Sequence, residues 1–231
     1  MAKSFLRSLG FALPMLAASL AWADEGIPNN AVAVGAYFIH YDVHASDLSG
    51  PFTPAGLGLD VKSTSTLYLG YFRRLSTHFA IELAAGVPPL TKSEGKGPAA
   101  LGSVPFNGQV ISTVRWLAPT ALIKYVFFDE SHSVRPFIGA GINYVDFYDR
   151  DSTVAGNAGA GGPTKIELSS SLGPAGNIGV NVALPHHWGV MASYSVARVH
   201  SDLHAITGDV VRFSSVSFNP STAVVAVSYA F

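Results

Sequence analysis

From Phe79 to Val87 one parity of the chain holds Phe79, Ile81, Leu83, Ala85 and Val87, and the other holds Ala80, Glu82, Ala84 and Gly86. The C-terminus repeats the pattern: Ala223, Val225, Val227, Tyr229 and Phe231 alternate with Thr222, Val224, Ala226, Ser228 and Ala230. Ile138, Ala140, Ile142 and Tyr144 alternate with Phe137, Gly139, Gly141 and Asn143, and Ile178, Val180 and Val182 with Asn177, Gly179 and Asn181. A period of two is the signature of a β-strand with one apolar face. No comparably long segment carries the 3.6-residue period of a helix.

Eight candidate strands follow, near 31–42, 60–73, 78–88, 109–128, 134–148, 166–184, 188–200 and 211–231. Their connections alternate in length. Short turns fall at Leu75–Thr77, Asp129–His132 and Pro185–His187, and long loops near 43–59, 89–108, 149–165 and 201–210. Short turns at one end and long loops at the other are the layout of an outer-membrane barrel, with both termini periplasmic. The expected fold is all-β, an eight-stranded antiparallel transmembrane β-barrel wound as an up-and-down meander.

The physical reason is that hydrocarbon satisfies no backbone N–H or C=O group, so a sheet crosses it only by closing on itself. The outward parity must then stay apolar over about 9 to 11 residues per strand. A soluble lipocalin-like barrel would instead need a charged exterior, and only 13 % of the 231 residues are charged, against roughly 25 % in ordinary soluble domains. Aromatic residues near strand ends, among them Tyr125, Phe127, Phe128, Trp188, Tyr229 and Phe231, suit interfacial girdles.

Lys+Arg (14) and Asp+Glu (15) nearly balance, so no basic excess points to nucleic acid. Cysteine is absent, which removes disulfides, thiolate metal sites and cysteine nucleophiles. Residues 1–23 combine basic Lys3 and Arg7, an apolar stretch from Leu9 to Leu20, and the small-x-small Ala21-Trp22-Ala23. That is the pattern of an export signal peptide, leaving 24–231 as the barrel.

Arg135-Pro136-Phe137-Ile138-Gly139-Ala140-Gly141-Ile142-Asn143-Tyr144 resembles the fifth-strand signature of the OmpW family. So does the spacing from Ala118-Pro119-Thr120 through Lys124-Tyr125-Val126-Phe127 to that motif, with Ile81-Glu82-Leu83, Gly176-Asn177-Ile178-Gly179-Val180 and the ending Ser228-Tyr229-Ala230-Phe231. The resemblance covers nearly the whole chain after the signal peptide. It implies a barrel in the Gram-negative outer membrane, surrounded by lipid and lipopolysaccharide, that passes small hydrophobic molecules through a narrow apolar funnel and releases them sideways. C-terminal Phe231, with Tyr229, Val227 and Val225 on its face, resembles the signal read by the barrel-assembly machinery.

An eight-stranded barrel is barely wide enough for its own side chains or one small ligand, so the inner parity decides what passes. Glu82 and Lys124 point inward on neighbouring strands at similar height and are expected to pair. Asn143, Asn177 and Asn181 add hydrogen bonds to this polar plug of the lower lumen. Simple structural packing is the equally weighted alternative to gating. Ala84 and Leu172 are expected to line the funnel where relatives resemble a Leu and a Trp, joined by Tyr37, Ile39 and Tyr41. Pro174 and Pro119 interrupt strands and mark candidate lateral exits, a simple bulge being the alternative.

No cofactor or metal is assigned. His40, His44, His200 and His204 are read as interfacial or loop residues rather than ligands, and no catalytic residue is proposed. Adjacent His200 and Ser201 would face opposite sides of a strand, so they make no nucleophile–base pair. Two other readings stay open: a structural or adhesive barrel of the small OmpA/OmpX kind with a plugged lumen, and, behind it, a lipid-modifying outer-membrane enzyme.

Overall fold

The computed structural model describes residues 28–98, 100–101 and 104–231; the expected signal peptide, 1–23, lies outside them. Eight strands form the wall: β1 (Asn30–Ala45), β2 (Thr64–Arg74), β3 (Phe79–Gly86), β4 (Thr120–Val126), β5 (Val134–Ser152), β6 (Ser171–Ala183), β7 (Trp188–Ala197) and β8 (Val210–Ala230). Each is antiparallel to the next, and β8 returns to β1 in an unbroken register from Ala31↔Ala230 to Ala45↔Val216. The ring therefore has no free edge.

Burial confirms which parity meets lipid. Val34, Leu69, Leu83, Ile123, Ile138, Ile178 and Val225 all face outward and are exposed, whereas their chain neighbours Ala33, Tyr68, Glu82, Lys124, Phe137, Asn177 and Val224 are buried inside. At the periplasmic end the outward rings gather: Tyr125 lies 5.4 Å from Phe79 and 5.1 Å from Phe127, and Trp188 lies 5.1 Å from Tyr229. The three short turns are where the sequence places them. Leu75 N–H donates to the Phe79 carbonyl and Leu184 N–H to that of Trp188. His186 and His187 take φ of 61° and 66°, the conformation that lets a two-residue turn follow strand twist.

The outer half is more regular than expected. The supposed loop at 89–108 contains the strand Leu90–Lys96, and 201–210 is a hairpin joining the strand Val199–Thr207 to β8. Gly58–Val61, Val110–Leu117 and Thr164–Leu168 extend the wall likewise, while 149–165 carries the seven-residue helix α1 (Val154–Ala160). Leu90–Lys96 and the hairpin strand Val199–Thr207 escape a hydrophobicity reading because they stand above the lipid belt, where both faces carry polar residues: His200, Asp202 and His204 outward, Ser201, Arg212 and Ser214 inward.

Candidate functional site: an apolar lumen on a charged floor

A polar knot inside an apolar cluster crosses the lower lumen. Glu82 on β3 and Lys124 on β4 are ion-paired, and each is almost wholly buried. Tyr68 Oη donates to Glu82 Oε1 at 2.5 Å, and Asn177 Nδ2 donates to Glu82 Oε2 at 3.3 Å. The Lys124 ammonium lies 3.7 Å from the Phe137 ring centroid and 4.8 Å from that of Phe72, with Met191 Sδ at 3.9 Å. A buried charge costs several kcal/mol unless it is paired and hydrogen-bonded, and these contacts supply both. Gly139 makes the room: a Cβ there would stand 2.3 Å from Asn177 Oδ1 and 3.1 Å from Lys124 Cγ.

Two asparagines expected in this knot are elsewhere. Asn143 donates to Thr120 Oγ1 at 2.7 Å, higher on the wall. Asn181 lines a separate periplasmic bowl of about 240 Å³ beneath Lys124. Tyr68, Phe72, Phe137 and Met191 were missed. They share the inward parity, but only the barrel's stagger shows which of them reach the lysine.

Above the floor is a cavity of about 110 Å³, lined chiefly by apolar groups. Tyr37, Ile39, Tyr41 and Ala84 all face it. Leu172 does not: it points to lipid and is 67 % exposed. The register of β5 with β6 is continuous from Val134↔Val182 to Val145↔Ser171. Counting by twos from inward Asn177 therefore reaches Ser171, buried at 8 %, rather than Leu172.

The two prolines behave differently. At Pro174 the β5 register runs on through Ile142, and the Pro174 carbonyl accepts from Arg198 N–H at 3.1 Å. Pairing with β7 stops at Ala175↔Ala197. Above that point serines stitch the wall: Ser171 Oγ accepts from His200 N–H at 3.0 Å, Ser169 Oγ accepts from Asp202 N–H at 2.9 Å, and Ser201 donates to the Ser169 carbonyl at 2.8 Å. Together with the Ser169 N–H bond to the Asp202 carbonyl at 3.1 Å, these contacts bridge the seam where the β6–β7 ladder ends.

At Pro119 the seam is larger. Pairing of β3 with β4 ends at Ala84↔Thr120 and resumes only at Leu90↔Arg115 in the outer half. Among the described residues no backbone ladder joins 85–89 to 116–119, and Pro88 and Pro89, opposite Pro119, have no N–H to give. Two side chains span it: Arg115 Nη1 donates to the Pro88 carbonyl at 3.2 Å, and Trp116 Nε1 to Thr91 Oγ1 at 2.9 Å.

His200 faces outward, 3.8 Å from Asp202, while Ser201 is fully buried on the inside. The pair is split between faces, as a strand requires.

A model of the OmpW family matches residues 32–231. Outer membrane protein W of Salmonella typhimurium (strain LT2) is 30 % identical over 175 residues, 75 % of this chain and 76 % of that protein. The dibenzothiophene metabolism operon protein PahQ of Pseudomonas aeruginosa is 22 % identical over 219 residues, 93 % of each chain. The crystal structure of outer membrane protein OprG from Pseudomonas aeruginosa superposes with a TM-score of 0.78 at 20 % identity, covering 89 % of this chain and 97 % of that one.

Proposed function

Because the chain belongs to the OmpW family of outer-membrane barrels, we propose that it is a narrow conduit for small hydrophobic molecules, closed toward the periplasm and opening sideways into the membrane. The observation that carries this reading is the apolar cavity standing on the buried Glu82–Lys124 floor, beside a stretch of wall without backbone pairing. A solute admitted from outside meets ions and packed rings below it. The unpaired stretch between 85–89 and 116–119 can part without breaking a ladder hydrogen bond, losing only the Arg115–Pro88 and Trp116–Thr91 bonds.

The name of PahQ, from an operon for metabolism of an aromatic sulfur heterocycle, supports a hydrophobic solute. The same reading assigns no catalysis, places lipopolysaccharide around the outer rim, and gives Phe231 to the assembly machinery.

A cysteine pair at Val87 and Leu117, both on the lipid-facing parity across the seam, tests the exit. Cells bearing an intact lipopolysaccharide layer and the oxidised pair should take up hydrophobic solute more slowly than the same cells after reduction. Undiminished uptake rejects lateral release. A plugged structural barrel is the second reading, favoured by the same charged floor. It predicts no uptake above that of cells lacking the protein in either redox state.

A further inference from the structure

Two ring pairs cross the lumen at one level. Tyr41 of β1 meets Trp116 of the Val110–Leu117 strand edge-on, with centroids 6.3 Å apart and planes at 87°. Phe147 of β5 meets Phe218 of β8 at 6.0 Å and 42°. Trp116 and Phe147 are register partners on one wall, while Phe218 pairs with Val43, two residues from Tyr41, on the other. The partners in each ring pair stand three places apart around the eight-membered wall, so both contacts bridge the interior rather than run along it. Ile39, Val114 and Val145 pack into the same cluster.

We infer that these four rings form an iris which makes the conduit selective for compact, planar aromatic solutes over saturated ones of equal size. This rests on the transport reading above and goes beyond it by naming the solute class and the residues that choose it. A molecule moving along the lumen slides between these rings, which line one cavity reaching from Glu82 to Leu203, and wedging between them loosens both aromatic contacts. A flat arene replaces them, since its faces and edges meet Trp116, Phe147, Tyr41 and Phe218 in the offset and edge-on arrangements that rings prefer. A cycloalkane occupies the same space but has no quadrupole to return. The cavity that these rings line is small, about 110 Å³, against the ~150 Å³ of an engineered apolar cavity that binds benzene. An entering ring therefore presses directly on these four side chains.

The experiment uses Gram-negative cells expressing the full-length chain. Toluene and methylcyclohexane are supplied at equal fractions of their aqueous saturation, and uptake is taken as the excess over cells without the protein. Wild-type excess uptake should favour toluene by about 3- to 10-fold, the scale of one net aromatic contact. Replacing one wall (Trp116→Leu with Phe147→Leu) should bring that ratio near one. So should replacing the other (Tyr41→Leu with Phe218→Leu), which covers the case in which the first pair fails to assemble. A wild-type ratio near one, or a preference that persists in an assembled wall variant, overturns the iris while leaving transport standing. No excess uptake of either solute overturns the transport reading, and the iris with it.

Discussion

Lys124 reaches Glu82 diagonally across two neighbouring strands, and the resulting ion pair is the most deeply buried charge contact among the described residues. Direct register partners of the two are Ala80 and Leu122. The contact therefore depends on both long side chains leaning into the lumen over small neighbours such as Gly139.

Breaking one side of this pair should cost more than removing both. Lys124→Met leaves an uncompensated carboxylate and is expected to destabilise the barrel by about 3–5 kcal/mol, with Lys124→Met/Glu82→Leu recovering most of the loss. Denaturant unfolding in lipid vesicles, followed by tryptophan fluorescence, measures both. Equal loss in the single and double variants would show that the two charges are not coupled.

The floor should also set ion leakage. Lys124→Ala opens the path between the upper cavity and the periplasmic bowl, so conductance in planar bilayers should rise above wild type. An unchanged conductance would mean that the surrounding rings, rather than the ion pair, close the axis.

Arg115 straps the seam, holding the Pro88 carbonyl while its Nε lies 3.6 Å from Asp149 on β5. Both side chains are well exposed, so the strap is worth at most about 1 kcal/mol. Arg115→Gln should accordingly raise solute uptake by no more than about fivefold. In the Val87→Cys/Leu117→Cys background the gain should vanish on oxidation. A gain that survives the crosslink would place Arg115's effect elsewhere.

The lipid-facing assignment predicts a contrast on β8. Val225→Arg, near the middle of the outward apolar belt, should cost about 2–4 kcal/mol in a bilayer. Ser217→Arg, on the same parity but beside His44 and His200 above the belt, should be nearly neutral. Vesicle unfolding titrations compare the two, and equal costs would misplace the membrane boundary.

In the periplasmic turn, the hydroxyl of Ser131, then His132 and the Ser131 N–H, hold the Asp129 carboxyl down to about 2 from its ordinary value of 3.8. A folded value below the unfolded one stabilises the turn above about pH 4, and that contribution is lost as pH falls toward 2. Asp129→Asn should flatten acid sensitivity in this window. Hydrogen exchange of the Val126 and Phe127 amides reads it, and identical profiles from pH 4 to 2 would discount the cap.

How far the site was legible followed the range of the forces involved. The Glu82–Lys124 pair was accessible because parity and height above a turn are local counts. Leu172 shows the other side: the family resemblance suggested a funnel residue, but strict counting from Asn177 puts Ser171 on the inner wall. Pro119 was visible as a strand breaker, yet its meaning required Pro88 and Pro89 to stand opposite. Pro174 interrupts its strand as Pro119 does, but the hydroxyls of Ser169 and Ser171 bridge the gap beside it, a contact between segments that the sequence does not pair.

The amino-acid order alone determined that this chain is a closed barrel with grease outside, because side-chain alternation is set residue by residue and hydrocarbon tolerates no unpaired backbone. Which inner residues meet across the lumen was decided only in three dimensions. Strand stagger brings Tyr41 to Trp116 and Phe147 to Phe218 from opposite walls, and no local pattern encodes a contact between segments so far apart in the chain.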